Sequence, residues 1–575
     1  MSAQALGVCA LETSRQCGGG IVGVMIDAVT SALAPRRARR WLAALLAGAL
    51  ACSPLQAQVR LPALGESASD DLPISVERRL GEQIMRDIRR DPDYLDDPVL
   101  LDYLQALWQP LVAAARQRGD IAPDSAAAFA WESFLVRDRG VNAFALPGGY
   151  VGVYLGLIAL TTSSDELASV LAHELAHLTQ RHIARSVGNS QRVSLISVAA
   201  LLLGVIAASR SQNSDMAQAA VHGGQAVAIQ GQLNFSRDME READRIGFGL
   251  LTGAGFASAG MAGMFDKLES ANRLNDNNAF PYLRSHPLTV DRIAEARART
   301  LLPGAVAPGA SPLRHRLMQA RARVLMDPGV LALRRLQEPG SIVAGPERIT
   351  ALYASALASS LLREPTRAEP AVQEALRLFA ALPARDAEVQ RALLLLLAQV
   401  QLADGQPARA LLTLNAPVID PSQRPALLLR AQAALDAQRG GLDGAAAELR
   451  RSTEALQTWT AEHRNDAGAW TQLALCAEAA GLRLRSLRAH AEARAALGDL
   501  SGAIDRLRAG QDAARGASAQ DFIEVSVIDA RLRQITAQRR QLALEARGGR
   551  SAGPGGPDGG EEPTRHLSAR DRAAS

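Results

Sequence analysis

The sequence predicts a mainly α-helical protein in which a domain with a small β element is followed by an α-solenoid. Of its 575 residues, 48% are hydrophobic and only 4% are aromatic, and Ala and Leu dominate. Such a composition favours helices over a β-sandwich. The length suggests three or four units of about 150 residues. Charges nearly balance, with 63 Lys and Arg against 59 Asp and Glu, so nothing in the composition indicates nucleic-acid binding.

Residues 1–57 are predicted to be a leader that contains a signal peptide. An Arg-rich stretch precedes the apolar run 41–51, which is too short to span a membrane. Leu55-Gln56-Ala57 places a small residue at the cut, so we expect export and cleavage after Ala57. A lipoprotein acylated at Cys52 is the alternative. After cleavage only Cys476 would remain, which excludes an intrachain disulfide and a Cys-rich zinc module.

Residues 58–302 are predicted to form the first folded domain. Apolar residues recur at helical spacing from Pro73 to about Gln117. Residues 128–135 and 151–158 are predicted strands on either side of a Gly-rich turn, Pro147-Gly148-Gly149.

Two further helices are predicted in this domain. Ser163 followed by Glu166 is a capping box, and it begins a helix that we expect to run through His182. The second covers about 236–254. Between them, the uncharged run Leu195–Ala208 is shorter than a transmembrane helix. It is interpreted as a buried helix or hairpin, or as a surface that contacts a membrane or an unfolded client.

Beyond a Gly-, Pro- and Ala-rich linker at 303–312, residues 313–547 are predicted to form tetratricopeptide-like repeats. The period of such repeats is about 34 residues, and stacked helix pairs present a concave surface that binds peptides or protein segments. A generic helical bundle is the alternative. Residues 548–575 are rich in Gly, Pro and charge and are predicted to be disordered. The positions that carry the repeat pattern are Gly405, Ala410, Gly440, Ala445, Trp470, Leu473, Ala474, Gly481, Gly498 and Ala503.

The strongest chemical motif is His173-Glu174-Leu175-Ala176-His177. Residues four apart on a helix lie about 40° apart in projection, so both imidazoles can reach one zinc ion. Glu174 lies on the metal side and can hold and deprotonate a water molecule. The alternative is a surface pair of histidines on a structural helix.

A catalytic zinc ion needs a third protein ligand. On a continuing helix His182 would point away from His173, so it is predicted to be a solvated or structural residue. Glu240 and Asp244 share a helix face. We therefore expect Glu240 to bind the metal and Asp244 to orient a ligand histidine through its second nitrogen. Glu242 points elsewhere and is expected to pair in solvent with Arg241 or Arg245, although it remains an alternative ligand to Glu240.

Together these motifs resemble the HtpX-like and CAAX-prenyl-protease family of gluzincin peptidases. The resemblance implies a gluzincin-type zinc metallopeptidase domain with one Zn²⁺ per chain. It also implies that His286 takes a fourth metal position, displaces the catalytic water and keeps the resting enzyme off. The alternative for His286 is that it caps a helix or bonds to a turn. The matching segments are Asn142–Gly149, His173–His177, Glu240–Asp244, Ser285–Pro287 and Arg292-Ile293.

The segment that begins at Asn142 is predicted to be an edge strand to which substrate adds as an extended peptide. An ordinary strand and turn is the alternative. The residues assigned to this edge are Asn142, Phe144, Pro147, Gly148 and Gly149.

An exported metallopeptidase domain with repeats resembles periplasmic members of the family. That resemblance implies an endopeptidase with chaperone-like activity that acts on unfolded or stalled outer-membrane β-barrel proteins and degrades misfolded ones. It implies that the repeats engage the outer-membrane assembly machinery. The alternative is a non-proteolytic chaperone or adaptor with a latent zinc site.

Overall fold

A computed structural model describes residues 72–188, 237–273, 280–300, 312–338, 340, 344–515 and 522–551. The predicted leader, the run Leu195–Ala208 and all but the last residue of the linker lie outside these ranges. Within them the chain is mainly helical and contains one small sheet, which confirms the predicted fold class. None of the described helices has both the length and the hydrophobicity that a membrane span requires.

The first helical stretch is two helices rather than one. Helix α1 (Ile74–Ile88) and helix α2 (Pro98–Arg118) are separated by a turn and a short strand, β1 (Tyr94–Leu95). The single helical pattern predicted from Pro73 to Gln117 is therefore wrong in its middle, where Pro92 disfavours the helical conformation of the residue before it. Asp97 begins α2, because its Oδ1 accepts a hydrogen bond from Leu100 N at 2.8 Å.

The sheet has four strands in the order β1-β2-β4-β3. Strand β2 (Glu132–Val136) pairs in parallel with β4 (Tyr150–Tyr154), and β3 (Ala143–Leu146) pairs antiparallel with β4. Strand β3 therefore lies at an edge. The turn between β3 and β4 holds Gly148 and Gly149 at φ 78° and 89°, which only glycine adopts at low cost.

Both predicted strands are displaced from their observed positions. Residues up to Ala128 form a short helix, α3 (Pro123–Ala128), and the strand begins only at Glu132. The second strand ends at Tyr154, and helix α4 (Leu155–Leu160) follows it. Leu155, Leu157 and Ile158 are fully buried, and a continuous apolar run does not distinguish a strand from a buried helix.

Helix α5 (Ser164–Thr179) carries the histidine motif through the centre of the domain. Ser163 Oγ accepts a hydrogen bond from Glu166 N at 3.2 Å, as an N-cap requires. Helix α7 (Arg237–Gly253) packs closely against α5, since a Cβ on Gly247 would lie 3.1 Å from backbone atoms of His173. This close approach brings the side chains of α7 to the motif.

Helix α5 ends at Thr179 and does not run through His182 as predicted. Arg181 adopts φ 51°, which breaks the helical path. A separate helix, α6 (His182–Gly188), then begins. Three further helices complete this part of the chain: α8 (Ala259–Arg273), α9 (Tyr282–Ser285) and α10 (Val290–Thr300).

The remaining described residues form consecutive helices that pack against their neighbours in the chain, consistent with a solenoid. Gly405, Gly441, Gly481 and Gly498 adopt positive φ in the turns between them. Gly440, which the repeat pattern aligns with Gly405, has φ −78°, and the neighbouring Gly441 has φ 67°. The repeat period itself stays a prediction.

The last helix extends to Ser551, so residues 548–551 of the predicted tail belong to it, and 552–575 lie outside the described residues. The helices are α11 (Pro312–Leu325), α12 (Val330–Gln337), α13 (Gly345–Leu361), α14 (Pro365–Ala380), α15 (Ala387–Ala403), α16 (Pro407–Leu414), α17 (Arg424–Arg439), α18 (Ala445–Glu462), α19 (Ala467–Ala479), α20 (Arg483–Ala496), α21 (Leu500–Ala514) and α22 (Phe522–Ser551).

One hydrophobic core connects the first part of the chain to the early helices of the solenoid. Its buried residues come from many elements of the described chain between Leu95 and Ala433. A buried ion pair crosses the same boundary, because Arg321 on α11 donates to both carboxylate oxygens of Asp97 at 2.7 Å. Helix α2 therefore packs against α5 and also contacts α11.

Candidate metal centre

Four potential metal ligands meet between α5, α7 and the end of α9. His173 and His177 lie on α5, Glu240 on α7, and His286 directly after α9. Each is buried, with no more than 2% of its surface exposed. One ligand atom from each lies within 4.8 Å of the others. The structure therefore brings together the residues that the sequence placed far apart in the chain.

The ligand atoms lie close enough together to share one metal ion. His173 Nε2 lies 3.0 Å from His177 Nε2, 3.3 Å from His286 Nδ1 and 3.5 Å from Glu240 Oε2. Glu240 Oε1 lies 3.0 Å from His286 Nδ1 and 3.5 Å from His177 Nε2. For comparison, zinc bonds of about 2.0–2.1 Å place the ligand atoms of a tetrahedral site about 3.3–3.4 Å apart. The donor set, which consists of imidazole nitrogens and a carboxylate, fits a metal ion such as zinc.

The buried carboxylates Glu240 and Asp244 are ionised and favour positive charge nearby. Burial alone would raise the pKa of Glu240, but His286 and His173 outweigh it and hold that pKa well below its usual range. Burial lowers the pKa of His173, yet Asp244 and Glu240 raise it to about 10. The buried Arg292 lies 2.8 Å from Glu240 and 2.6 Å from Asp244 and balances part of this negative charge. A proton or a metal ion among the imidazoles can supply further positive charge.

Asp244 and Arg292 form a support behind His173. Asp244 Oδ1 lies 3.0 Å from His173 Nδ1, and Arg292 holds both Asp244 oxygens through hydrogen bonds of 2.6 and 2.8 Å. Burial raises the pKa of Asp244, but Arg292 and His173 outweigh it and lower that pKa. Arg292 also donates to Pro287 O at 2.7 Å, so it connects this support to the segment that carries His286. Its contacts were not predicted, although Arg292 lies in one of the matching segments.

His182 and Glu242 occupy positions that differ from the predicted ones. His182 is fully buried, and its Nδ1 lies 2.8 Å from His177 Nδ1. Glu242 accepts hydrogen bonds from His182 at 3.0 Å and from Arg185 at 2.8 Å. The predicted solvent pairing of Glu242 with its neighbouring arginines is wrong, because the turn at Arg181 brings His182 and Arg185 to it. Glu242 also lies outside the four-residue cluster, so it does not replace Glu240 there.

The protonation of these two groups follows from their surroundings. Burial lowers the pKa of His182 to about 4, so the ring is neutral at neutral pH. Burial raises the pKa of Glu242, but the hydrogen bonds from Arg185 and His182 outweigh it and lower that pKa. Glu242 is therefore an ionised carboxylate.

Glu174 lies beside the cluster and is completely buried. His286 Nε2 lies 3.4 Å from its Oε1, and neither carboxylate oxygen has a well-aligned hydrogen bond within the described residues. Burial raises the pKa of Glu174, while His286, His173 and the backbone of Ala145 act in the opposite direction. A buried carboxylate with a raised pKa is suited to accept and return a proton.

Strand β3 pairs with β4 on one side, and its other side is an edge of the sheet. Tyr154 N donates to Asn142 O at 3.0 Å, and the register pairs Phe144 with Gly152. In an antiparallel ladder the backbone groups of the intervening residues, Ala143 and Ala145, then face outward. Because the backbone of Ala145 also acts on Glu174, this edge lies alongside the cluster.

Asn142 and the turn residues Pro147, Gly148 and Gly149, which were also assigned to the substrate edge, do not contribute outward-facing backbone groups of β3. Gly81 of α1 lies directly over the turn, since a Cβ on it would approach Pro147 O to 1.9 Å, and Gly148 contacts Arg78. The turn 147–149 therefore has a packing role. Asn142 is 8% exposed and its Oδ1 has no hydrogen-bond partner within the described residues.

The segment that carries His286 also touches the start of this edge. Tyr282 N donates to Val141 O at 3.2 Å, and the Tyr282 ring stacks on His286 with centroids 4.5 Å apart. Val141 O belongs to the same outward-facing side as Ala143 and Ala145. One short segment thus contacts the metal ligands, Glu174 and the edge strand together.

The comparisons with known proteins cover the part of the chain that forms this centre. Residues 104–300 match the model of peptidase family M48. A Vibrio cholerae protein described as a beta-barrel assembly-enhancing protease is 39% identical over 251 residues, which is 43% of this chain and 49% of the relative. The Escherichia coli beta-barrel assembly-enhancing protease is 32% identical over 258 residues, or 45% and 50%.

A third relative, the metalloprotease LoiP of Escherichia coli, is 31% identical over 166 residues, which is 29% of this chain and 61% of the relative. The chain spans about half the length of the first two relatives.

Proposed function

Since residues 104–300 match the model of peptidase family M48, we propose that the protein is an exported, zinc-dependent endopeptidase that acts in outer-membrane protein assembly and quality control in the periplasm. It would combine chaperone-like help in folding with degradation of stalled or misfolded β-barrel clients. The observation that carries the enzymatic part is the set of four buried candidate ligands, whose ligand atoms lie within 4.8 Å of one another, beside Glu174. The names of the relatives support the link to β-barrel assembly.

In this proposal His173, His177 and Glu240 hold the metal, and Asp244 orients His173. A bound zinc ion would supply Lewis acidity, which activates water and polarises the scissile carbonyl. Glu174 removes a proton from the attacking water and delivers it to the leaving nitrogen as the peptide C–N bond breaks. Its buried position, which raises its pKa, favours this exchange in both directions.

Substrate is proposed to bind as an added strand along the outer edge of β3. The outward-facing backbone groups of Ala143 and the carbonyl of Ala145 would pair with an extended segment, and main-chain hydrogen bonds accept many sequences. An unfolded β-barrel protein offers such segments. The repeat helices would contact the assembly machinery, and Leu195–Ala208 is proposed as a peripheral membrane contact.

We further propose that the described conformation is a resting state. His286 Nδ1 takes a fourth ligand position, its Nε2 faces Glu174, and Tyr282 N occupies Val141 O at the strand edge. A site filled by four protein ligands is closed to catalytic water. Activity would then require the segment 281–287 to leave both the metal and the edge.

The test uses the full chain in the His286→Ala background, so that the resting contact does not mask activity. Cleavage of an unfolded outer-membrane β-barrel protein is followed with Glu174 intact and with Glu174→Gln. We expect Glu174→Gln to abolish cleavage while zinc content is kept, and Glu295→Gln, an exposed carboxylate that pairs with Arg299, to have no effect. Cleavage that persists in Glu174→Gln would refute the assigned base.

A second candidate function is favoured by the closed site: a chaperone or assembly adaptor whose zinc site stays latent. To distinguish the peptidase from the adaptor, outer-membrane protein assembly is measured in cells whose sole copy of the protein carries Glu174→Gln. Full assembly would favour the adaptor, and accumulation of stalled clients would favour the peptidase.

A further inference from the structure

The second nitrogen of each motif histidine faces a buried support, and the two supports are built in parallel. His173 Nδ1 lies 3.0 Å from Asp244, which is held by Arg292. His177 Nδ1 lies 2.8 Å from His182 Nδ1, and His182 bonds to Glu242, which is held by Arg185. We propose that His182, with Glu242 and Arg185, is a positioning group that fixes the tautomer and ring orientation of His177 for metal binding. This inference rests on the proposed zinc site.

The hydrogen-bond directions are determined by the ligand role of His177. A neutral imidazole that binds metal through Nε2 carries its proton on Nδ1. His177 Nδ1 must therefore donate, and His182 Nδ1 must accept. The proton of His182 then sits on Nε2, which donates to the Glu242 carboxylate at 3.0 Å. Both nitrogens of His182 are committed, and each has a partner of the required type.

The local backbone places His182 for this contact. On an unbroken helix it would lie opposite His173, but Arg181 takes φ 51° and α6 begins at His182 itself. The turn is fixed from outside, since Arg181 Nε donates to the buried Glu77 at 2.9 Å. Ser186 Oγ donates to His182 O at 2.8 Å. A strained residue held by a buried partner indicates that the turn serves a purpose.

Helix α7 carries three carboxylates that contact the two motif histidines, either directly or through His182. Glu240 faces the cluster directly, Asp244 supports His173, and Glu242 supports His182 from a different side of the same helix. Arg185 keeps Glu242 in place through a hydrogen bond of 2.8 Å. Groups that fix a ligand histidine in this way usually contribute about 10–100-fold to metal affinity.

The test compares His182→Leu with His182→Asn in the full chain. The two side chains have similar size and shape, but only Asn can accept a hydrogen bond from His177 Nδ1. Zinc affinity is measured by competition with a chelator, and the visible absorption of the Co²⁺-loaded protein reports ligand geometry. The unfolding temperature of the metal-free protein is measured for each variant, so that loss of folding is recognised.

We expect His182→Leu to weaken zinc binding about 10–100-fold and to change the Co²⁺ spectrum. His182→Asn should restore most of the affinity. Glu242→Gln, which keeps an acceptor without the charge, should weaken binding less than His182→Leu. Asp238→Asn is the matched control, because Asp238 lies on the same helix and pairs with Arg241 at the surface.

Wild-type affinity in His182→Leu, or equal losses in the Leu and Asn variants, would overturn the positioning role. If His182→Leu does not fold, the comparison of Glu242→Gln with Asp238→Asn decides, and equal affinities there would overturn it. An absence of zinc binding by the wild type would instead refute the proposed zinc site.

Discussion

At the scale of single residues, the histidine motif shows how far spacing alone determines a site. Two histidines four residues apart on one helix had to face the same point, and the structure brings them together with Glu240. Arg292 and the contact of His182 with His177 could not be predicted in this way. Both depend on where a helix ends and on how distant helices pack, and neither leaves a periodic signal in the sequence.

His286 is expected to restrain activity. Replacing it in His286→Ala opens the fourth ligand position and frees Glu174 from the imidazole 3.4 Å away. We expect cleavage of an unfolded β-barrel protein to rise about tenfold or more, which corresponds to about 1.4 kcal/mol in the barrier. Val290→Ala, at an exposed position nearby, is the control. Unchanged or lower cleavage in His286→Ala would count against the resting-state proposal.

At the scale of elements, helix α11 is attached to the first part of the chain by a buried histidine. His315 accepts a hydrogen bond from Tyr103 OH at 2.7 Å through Nδ1 and donates to Thr161 O at 2.9 Å through Nε2. That pattern satisfies a neutral ring. The sequence predicted a helix here, but it could not predict partners that lie more than 150 residues away.

This histidine makes stability depend on pH. Burial lowers the pKa of His315 below the usual 6.5, so the unfolded chain takes up a proton before the folded one. Its contribution to stability is therefore complete above about pH 6.5 and is lost as the pH falls below that value. The unfolding temperature of metal-free protein should fall more steeply from pH 7.5 to 5.5 in wild type than in His315→Gln. Equal slopes would show that His315 is not the source.

At the scale of the whole molecule, the two parts of the chain share their core. The hydrophobic cluster from Leu95 to Ala433 and the buried Arg321–Asp97 pair both cross from the first part of the chain, residues 72–300, into the solenoid. The sequence predicted the order and the helical nature of the two parts from composition and periodicity. Their shared core was beyond such reasoning, because long-range pairings are set by packing.

The shared core predicts that the peptidase region depends on the solenoid for stability. In a chain that ends at residue 300, Asp97 would lose Arg321, and removing one partner of a buried pair costs about 3–5 kcal/mol. Apolar surface of α2 and α4 would also be exposed. We expect this fragment to aggregate or to lack a cooperative thermal transition by near-ultraviolet circular dichroism. A cooperative transition near that of the full chain would contradict the dependence.

We expect His173, His177, Glu240 and His286 to surround a zinc ion, which metal analysis of the full chain can measure. Zinc per chain is measured for wild type, for His173→Ala/His177→Ala, and for His463→Ala/His490→Ala in the solenoid as a matched control. Circular dichroism confirms that each protein is folded. We predict about one zinc per chain in the wild type and in the control and none in the motif variant. A zinc-free wild type, or full zinc content in the motif variant, would show that these residues do not form a zinc site.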